Sequence, residues 1–349
     1  MKERTTIVGL PGAAPGADSG AGSSDVPPGS VTRRSLLARV QSVMGSATFR
    51  VGFVLVAVGL GGYAVADEWS QVRAGFADLG VGVFAEAFGT VLVGLLVSMQ
   101  VWRSLLTSAG SRVPFPAASR IFFVGQVGKY LPGAVWPVLA QMELGQAQRI
   151  PRRRSATVAV VTLLVSLCAG LLTAAAATAP ILAGSVTEQY RWAFLVVPAL
   201  LAGLHPRVLN PLIDRLLRLA RRPPLEVPLT GRAVVTATGW AVLSWVLNGL
   251  HVFLLAQHLG APAGRTLLLA VGGYAFAWCV GFLVVFAPAG AGVREVVLVA
   301  ALSPVLSVGE ATAVALASRL LTTVADLVSA AAAGWFGRDR EPAPAPEPE

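Results

Sequence analysis

The chain places a few ionisable side chains inside apolar sequence, at two stretches interrupted by proline and glycine. The first, GQVGKYLPGAVWP at 125–137, holds Lys129, and the only other lysine is Lys2. The second, APAGAGVRE at 287–295, ends in Arg294 and Glu295. Arginine binds phosphate through two parallel hydrogen bonds, and lysine binds it as a compact point charge. Lys129 and Arg294 are therefore the candidate groups for binding a lipid phosphate.

Four further polar residues accompany these two cations. Glu295 could fix the rotamer of Arg294 or meet a cationic headgroup, and a purely structural ion pair is the alternative. Gln126 and Gln141 could line a cavity or bridge helices through their amides. Glu143 is a candidate for headgroup binding, and pairing with Arg149 as an ordinary interfacial carboxylate is an equal alternative.

Arg319 and Asp326 lie seven residues apart in one apolar run near the C-terminus. At 3.6 residues per turn this spacing puts both on one face of a helix, about two turns apart. Charged groups inside a membrane span face the bundle interior and pair with one another. We expect both residues to point inward, as candidates for structural ion pairs across the bundle.

Composition indicates an all-α, polytopic membrane protein. The 349 residues are 55% hydrophobic and 13% charged, with a mean hydropathy of +0.69, whereas soluble domains carry about 25% charged residues. The net charge of +9 is nearly all arginine, concentrated between apolar runs, which favours anionic lipid headgroups over nucleic acid.

GQVGK lacks the leading glycine of a phosphate-binding loop, and no zinc-ligand spacing occurs, so we expect neither metal nor cofactor.

Three regions follow from the composition: a disordered leader at 1–45, a membrane domain at 46–337 and a Pro/Glu-rich tail at 338–349. A bilayer crossing needs ~20 residues, and by this measure the sequence contains eight predicted membrane segments. They lie at 49–66, 82–102, 155–178, 191–205, 233–259, 265–286, 293–305 and 309–336. The segments at 191–205 and 293–305 are short, and either could cross only in part.

The arginine distribution predicts the orientation. The leader, the tail and the loops at 103–120, 149–154 and 206–232 are arginine-rich, whereas those at 67–81, 179–190 and 260–264 are not. The positive-inside rule then predicts a multi-pass protein of the cytoplasmic membrane with both termini cytoplasmic.

In the 206–232 loop, leucines recur at helical spacing opposite Asp214, Arg215 and Arg218. This stripe suits a helix on the inner leaflet or, equally, one packed on the bundle.

The segment at 121–148 has arginine-rich flanks on both sides, so it should enter and leave the membrane on one side. Pro132 and Gly133 supply a turn, because proline removes a backbone donor and glycine permits a tight reversal. We expect a re-entrant hairpin there, and the alternative is a kinked spanning helix with Lys129 at the interface. Pro288, Gly290 and Gly292 interrupt the second stretch in the same way, which predicts two related halves around a binding site.

These two interrupted motifs resemble the flippase-like transmembrane region of lysylphosphatidylglycerol synthases, over about residues 45–336. In that family the second motif tends to be Pro-Gly-Gly-Leu-Gly followed by an acidic residue, and here Ala289 replaces the first glycine. The resemblance implies translocation of an anionic or zwitterionic lipid between leaflets through a central polar cavity. It implies no enzyme activity, because aminoacyl transfer in the family belongs to a separate soluble domain.

Two other functions are compatible with the chain. Asp67 and Glu68 follow the first predicted span, where membrane-embedded glycosyltransferases that use polyprenyl-phosphate sugars often carry an acidic pair. The chain could instead be a non-transporting scaffold for envelope synthesis. The expected partners are membrane lipids, with a homo-oligomer or envelope-synthesis enzymes as further possibilities and no nucleic acid.

Overall fold

A computed structural model describes residues 70, 73–74, 77, 79–130, 135–183, 199–200, 202–219, 228–284 and 290–336. These residues form helices joined by turns, with no strand among them, which confirms the all-α prediction. The predicted leader, the tail, Asp67 and Glu68 lie outside the described residues.

The helices are long or short according to whether proline and glycine interrupt the apolar runs. We number the α-helices in chain order. They are α1 Val81–Ser108, α2 Phe115–Ser119, α3 Trp136–Gln146, α4 Arg152–Ala183, α5 Pro206–Leu219, α6 Gly231–His258, α7 Ala263–Leu283, α8 Val293–Leu302 and α9 Val308–Phe336. Between α2 and α3 the chain forms a π-helical turn, Arg120–Val124, and a 3-10 turn, Val127–Tyr130.

Five of the described helices are long and apolar enough to cross a membrane: α1, α4 over Arg152–Ala179, α6, α7 and α9. They correspond to five of the eight predicted segments. Helix α8 has 10 residues and is therefore about 15 Å long, half of a ~30 Å hydrocarbon core. Helix α8 alone is thus too short to cross the core, and a partial crossing by the segment at 293–305 stays a prediction. Those at 49–66 and 191–205 lie wholly or mostly outside the described residues, so the count of eight stays a prediction.

Small residues allow the long helices to approach one another closely, as is usual in membrane bundles. A Cβ at Gly94 of α1 would come within 2.6 Å of the Asn248 side chain on α6. Beside it, the Ser244 hydroxyl donates to the Gly94 carbonyl oxygen at 3.1 Å. A Cβ at Gly272 of α7 would lie 2.9 Å from the Ala177 side chain of α4. A Cβ at Gly249 of α6 would meet the Cα of Val271 on α7, so the close contacts connect α1, α4, α6 and α7 in one bundle.

Helix α8 runs back along α7. The Arg294 stem lies against Gly281 near the end of α7, and Ala301 lies against Gly273, eight residues earlier. The order of contacts is therefore antiparallel, and α7 and α8 form a helical hairpin.

The interrupted segment between α1 and α4 is also folded back on itself. A Cβ at Gly125 would come within 2.8 Å of the Gln141 side chain, and one at Gly128 within 2.8 Å of the Trp136–Pro137 backbone. Across the loops that flank this segment, the Arg154 guanidinium donates to the Ser111 hydroxyl at 2.8 Å. The end of α1 and the start of α4 therefore lie at the same end of the bundle.

Helix α5 packs on the bundle, one of the two alternatives for the 206–232 loop. Leu209 and Ile213 are 2% and 1% exposed, and the Asn210 side chain forms hydrogen bonds with both backbone groups of Leu229. The neighbouring apolar residues Val208 and Leu212 stay 48% and 42% exposed. Only part of the apolar stripe is therefore buried against protein, and the inner-leaflet alternative remains compatible with the rest.

A capping box between Ser307 and Glu310 begins α9. The Glu310 carboxylate accepts from the Ser307 backbone N–H at 2.9 Å, and the Glu310 N–H donates to the Ser307 hydroxyl at 3.3 Å. Replacing Ser307 by Ala should lower the free energy of unfolding by about 1 kcal/mol, because a helix N–H loses its acceptor. Thermal unfolding in detergent measures the loss. Ser303→Ala is the matched control, since that hydroxyl only donates to the Ala300 carbonyl, and an equal loss in both variants would contradict the prediction.

A charged cavity between the two interrupted segments

The long helices and the interrupted segments enclose a cavity of about 250 Å³. Four spans contribute residues from near their midpoints: 95–102 of α1, 159–166 of α4, 241–248 of α6 and 319–326 of α9. Helix α7 contributes residues of its C-terminal half. The cavity therefore lies about midway along the helices that are long enough to cross a membrane.

Lys129 reaches this cavity from the first interrupted segment and pairs with α9. Its Nζ lies 2.6 Å from Asp326 Oδ2, and the Tyr130 hydroxyl donates to the same oxygen at 2.6 Å. The Asp326 side chain is 5% exposed and that of Lys129 30% exposed. The buried carboxylate is thus bound by both an ammonium and a phenol, as the high cost of an unpaired buried charge requires. Asp326 is the partner of Lys129 that the sequence did not reveal.

Arg294 reaches the cavity from the second interrupted segment. Its Nη2 donates to the Tyr274 hydroxyl at 3.1 Å, and its guanidinium carbon lies 5.3 Å from the centroid of the Tyr274 ring. The stem passes between Gly281 and Gly290, where added Cβ atoms would clash with it. Gly290 and Gly292 have φ of +69° and +84°, a conformation that side-chain-bearing residues rarely adopt. Glycine is therefore required at both positions to bring Arg294 to the cavity.

Glu295 has a structural position beside the cavity wall. Its Oε2 accepts from the Gly292 N–H at 2.7 Å, which caps the start of α8. Its Oε1 lies 3.7 Å from Arg319 Nε. Arg319 and Asp326 each form an ion pair with another element: Arg319 pairs with α8, and Asp326 pairs with the first interrupted segment. Both partners had been assigned from sequence to the headgroup site.

The remaining predicted site residues separate into three groups. Gln126 lines the cavity, as does Gln141, which is 4% exposed. Glu143 is on the surface, where both carboxylate oxygens lie 2.9 Å from Arg152 Nη2, so the structure does not bring it to the cavity. The predicted turn residues Pro132, Gly133 and Pro288 lie outside the described residues.

Aromatic side chains form much of the cavity wall, and the sequence did not assign them to the site. Trp102, Trp245, Tyr274 and Trp278 border the cavity, and the Trp245 N–H donates to the Ser166 carbonyl oxygen at 3.0 Å. Tryptophans in membrane proteins concentrate at the interfaces, so the sequence alone favours an interfacial or packing role for Trp245 and Trp278. The spacing of Trp102 within α1 gave no signal that it faces a cavity.

Two observations bear on other chemistry. His251 of α6 forms an interhelical hydrogen bond, through Nε2, with the Ser318 hydroxyl of α9 at 2.8 Å. Within the described ranges, no three His, Cys, Asp or Glu residues are grouped so that they could hold a metal ion.

The apolar helices and the charged cavity between them define a polytopic helical membrane protein. The family model of the lysylphosphatidylglycerol synthase TM region matches residues 49–330, about four fifths of the chain. The protein belongs to this family, as the two interrupted motifs had indicated. Comparison with curated protein sequences gives no match.

Substitutions at Lys129 and Asp326 test how much their buried ion pair contributes to stability. Lys129→Met should destabilise the protein because it leaves a buried carboxylate without its counter-charge. The double variant Lys129→Met/Asp326→Leu should recover much of the loss, with a coupling energy of about 1–3 kcal/mol. Thermal unfolding of the two single variants and the double variant in detergent measures this coupling.

The exposed Glu143–Arg152 pair is the matched control, with side chains that are 63% and 56% exposed. Because solvent screens such pairs, Arg152→Met/Glu143→Leu should show a coupling below about 1 kcal/mol. Equal coupling energies in the two pairs would contradict the prediction that burial strengthens the Lys129–Asp326 pair.

Proposed function

We propose that this protein translocates an anionic or zwitterionic lipid between the leaflets of the cytoplasmic membrane, without enzymatic chemistry. The observation that carries the proposal is the cavity midway along the spans, reached by both Lys129 and Arg294. Moving a charged headgroup through hydrocarbon costs many kcal/mol by simple solvation estimates. Fixed cations at mid-depth lower that cost, while the acyl chains remain in the bilayer.

The position of the first interrupted segment along α9 supports a re-entrant hairpin. The Val124 side chain lies beside Gly334, near the end of α9, whereas Lys129 reaches Asp326. Eight residues separate these two points on α9, about 12 Å along the helix. The segment thus runs inward from the α9 C-terminus to the cavity. The Ser111–Arg154 contact places both of its flanks at one end of the bundle, as a segment that returns to its own side requires.

The α7–α8 hairpin approaches the same cavity from the other end. Helix α8 leads through a short turn into the start of α9, at the end opposite to Gly334. The hairpin bends near Arg294, and Glu295 pairs with Arg319 at mid-length of α9. Two interrupted segments that meet from opposite ends are typical of transporters built from inverted halves. We extend the proposal to two such halves with the lipid site between them.

The two cations differ in how readily they can bind a phosphate. Among the described residues, the Arg294 guanidinium has its polar contacts with the neutral Tyr274 hydroxyl and ring, so a phosphate can take two of its N–H donors without displacing a carboxylate there. Lys129 is 30% exposed and shares Asp326 with Tyr130. A phosphate that approaches Lys129 leaves Asp326 with the phenol donor. Arg294 is therefore the principal phosphate contact and Lys129 the second.

The arginine-rich loops support cytoplasmic termini, and membrane lipids are the proposed partners. Asp67 and Glu68, the residues that favour a glycosyltransferase, lie outside the described residues, and no observation adds to that alternative.

Removing the phosphate contacts should stop lipid exchange. In vesicles that contain the purified protein and phospholipid labelled with a fluorophore on one acyl chain, dithionite bleaching reports the rate of exchange between leaflets. Arg294→Gln should lower this rate at least about tenfold, because an arginine–phosphate bond contributes more than 1.4 kcal/mol when desolvated. Lys129→Met should also lower the exchange rate. The rate is compared only for preparations that elute from a sizing column at the same volume as the unmodified protein.

Arg152→Gln is the matched control, since it removes a guanidinium that lies on the surface in a pair with Glu143. It should leave the exchange rate unchanged. If Arg294→Gln and Lys129→Met both exchanged lipid at the rate of the unmodified protein, the cavity would have no part in lipid translocation.

The re-entrant hairpin predicts that residues 112 and 152 face the same side of the membrane. Single cysteines at these positions, in a background with Cys168 and Cys279 replaced by Ala, should react alike with a membrane-impermeant maleimide. Both should be protected in sealed right-side-out vesicles and both labelled in inverted ones. Opposite labelling of the two positions would show a spanning helix and exclude the hairpin.

A further inference from the structure

Helix α5 lies at the end of the bundle where α6 begins. A Cβ at Gly231, the first residue of α6, would lie 4.0 Å from the Pro206 side chain, and the Asn210 side chain binds the Leu229 backbone. Helix α6 has 28 residues and is therefore about 42 Å long. A bilayer with its headgroup layers is ~40–45 Å thick. The first turn of α6, and α5 beside it, therefore lie at the depth of the lipid headgroups.

Helix α4 begins at the same end of the bundle as α6. A Cβ at Gly170 of α4 would meet Cys279 of α7, and one at Gly272 of α7 would meet Ala177 of α4, so α4 and α7 are antiparallel. A short connection joins the end of α6 to the start of α7, and α6 meets α7 at Gly249, so these two helices are antiparallel as well. The exposed arginines around the starts of α4 and α6 are Arg112, Arg149, Arg207, Arg215, Arg218 and Arg232. We call this the arginine-rich end of the bundle.

Helix α5 has an apolar face that is only partly buried. Leu209 and Ile213 face the bundle. At about 100° per residue, Val208, Leu212 and Leu219 form the neighbouring arc around the helix axis, and they are 48%, 42% and 82% exposed. An exposed apolar arc at headgroup depth fits the boundary between headgroups and acyl chains, where amphipathic helices bury their apolar faces.

The next arc of α5 carries its arginines. Arg207, Arg215 and Arg218 are exposed and lie within ~80° of one another around the axis, on the side of the exposed apolar arc that is away from the buried residues. Asp214 is the one acidic residue of α5, so three positive charges stand against one negative charge. Long arginine stems let guanidinium groups reach phosphates while the apolar side chains next to them are buried. The arcs therefore match, in order, the bundle, acyl chains and phosphates.

We propose that α5 is a binding surface for anionic lipid, which lies in the leaflet at the arginine-rich end and concentrates negatively charged lipids there. The exposed apolar arc contacts acyl chains, and the three arginines bind phosphates. A leaflet matches both arcs at once, because negative charge and hydrocarbon lie side by side at its surface. This surface is separate from the cavity. The inference goes beyond lipid translocation and does not depend on it, so either proposal can fail while the other stands.

The position of α5 is tested with a fluorescent probe on single cysteines at 212 and 214, in the background with Cys168 and Cys279 replaced by Ala. The protein is placed in nanodiscs of phosphatidylcholine and phosphatidylglycerol. A lipid that carries a nitroxide near the top of its acyl chain should quench the probe at 212, and aqueous iodide should quench it weakly. The probe at 214 is the matched control: it lies away from the exposed apolar arc, and iodide should quench it more strongly.

Two results would overturn this position. If iodide quenched the probe at 212 and the nitroxide lipid did not, the exposed apolar arc would face water. If neither quencher reached the probe, the arc would be buried against another copy of the chain.

The preference for negative charge is tested in phosphatidylcholine nanodiscs that contain a small fraction of nitroxide-labelled lipid. Labelled phosphatidylglycerol should quench the probe at 212 at least about fivefold more effectively than labelled phosphatidylcholine, since each arginine near the surface contributes ~1 kcal/mol. Arg215→Gln should lower this ratio by up to about fivefold, and added salt should lower it as well.

Arg265→Gln is the matched control, because it removes one exposed guanidinium from the start of α7, at the opposite end of the bundle. It should keep the ratio of quenching by the two lipids. Equal quenching by the two lipids in the unmodified protein would overturn the binding of anionic lipid at α5. An equal fall of the ratio in Arg215→Gln and Arg265→Gln would overturn it too.

Discussion

The cost of placing charge in a hydrocarbon environment governs the arrangement of this protein. A carboxylate that is 5% exposed, Asp326, is stable only because Lys129 and Tyr130 both bind the same oxygen. That requirement brings the broken segment at 120–130 inward along α9. Arg319 and Glu295 satisfy the same requirement for the second broken segment. The ion pairs thus position the interrupted backbone, and the interrupted backbone positions the cavity.

Backbone that is not helical at membrane depth needs protein or water around it to satisfy its polar groups. In the second segment Glu295 accepts from the Gly292 N–H, and glycine at 290 and 292 permits the left-handed turns. In the first segment Gly125 and Gly128 let the two arms approach to contact. The glycines in these stretches therefore serve close packing and turn geometry, while the few charged residues serve recognition.

The sequence predicted the helical class, the five long spans that the structure describes, and Lys129 and Arg294 as candidate groups, both of which line the cavity. Composition and arginine placement carry that information, because they reflect the bilayer directly. The partners of the cations could not be read from sequence: Lys129 and Asp326 are 197 residues apart, and nothing local links them. For Glu143 the sequence left headgroup binding and an interfacial ion pair with Arg149 as equal alternatives, and in the structure the side chain pairs with Arg152 on the surface. Gln141 was a candidate for the cavity wall, whereas nothing in the sequence distinguishes Trp102 as a lining residue.

Helix α9 holds one residue of each ion pair, Arg319 and Asp326, on a single rigid rod. The arm that bears Lys129 and the arm that bears Glu295 approach that rod from opposite ends. Because both ion pairs lie on α9, this helix links the arm that bears Lys129 to the arm that bears Glu295, and a shift of α9 along its axis would strain both pairs together.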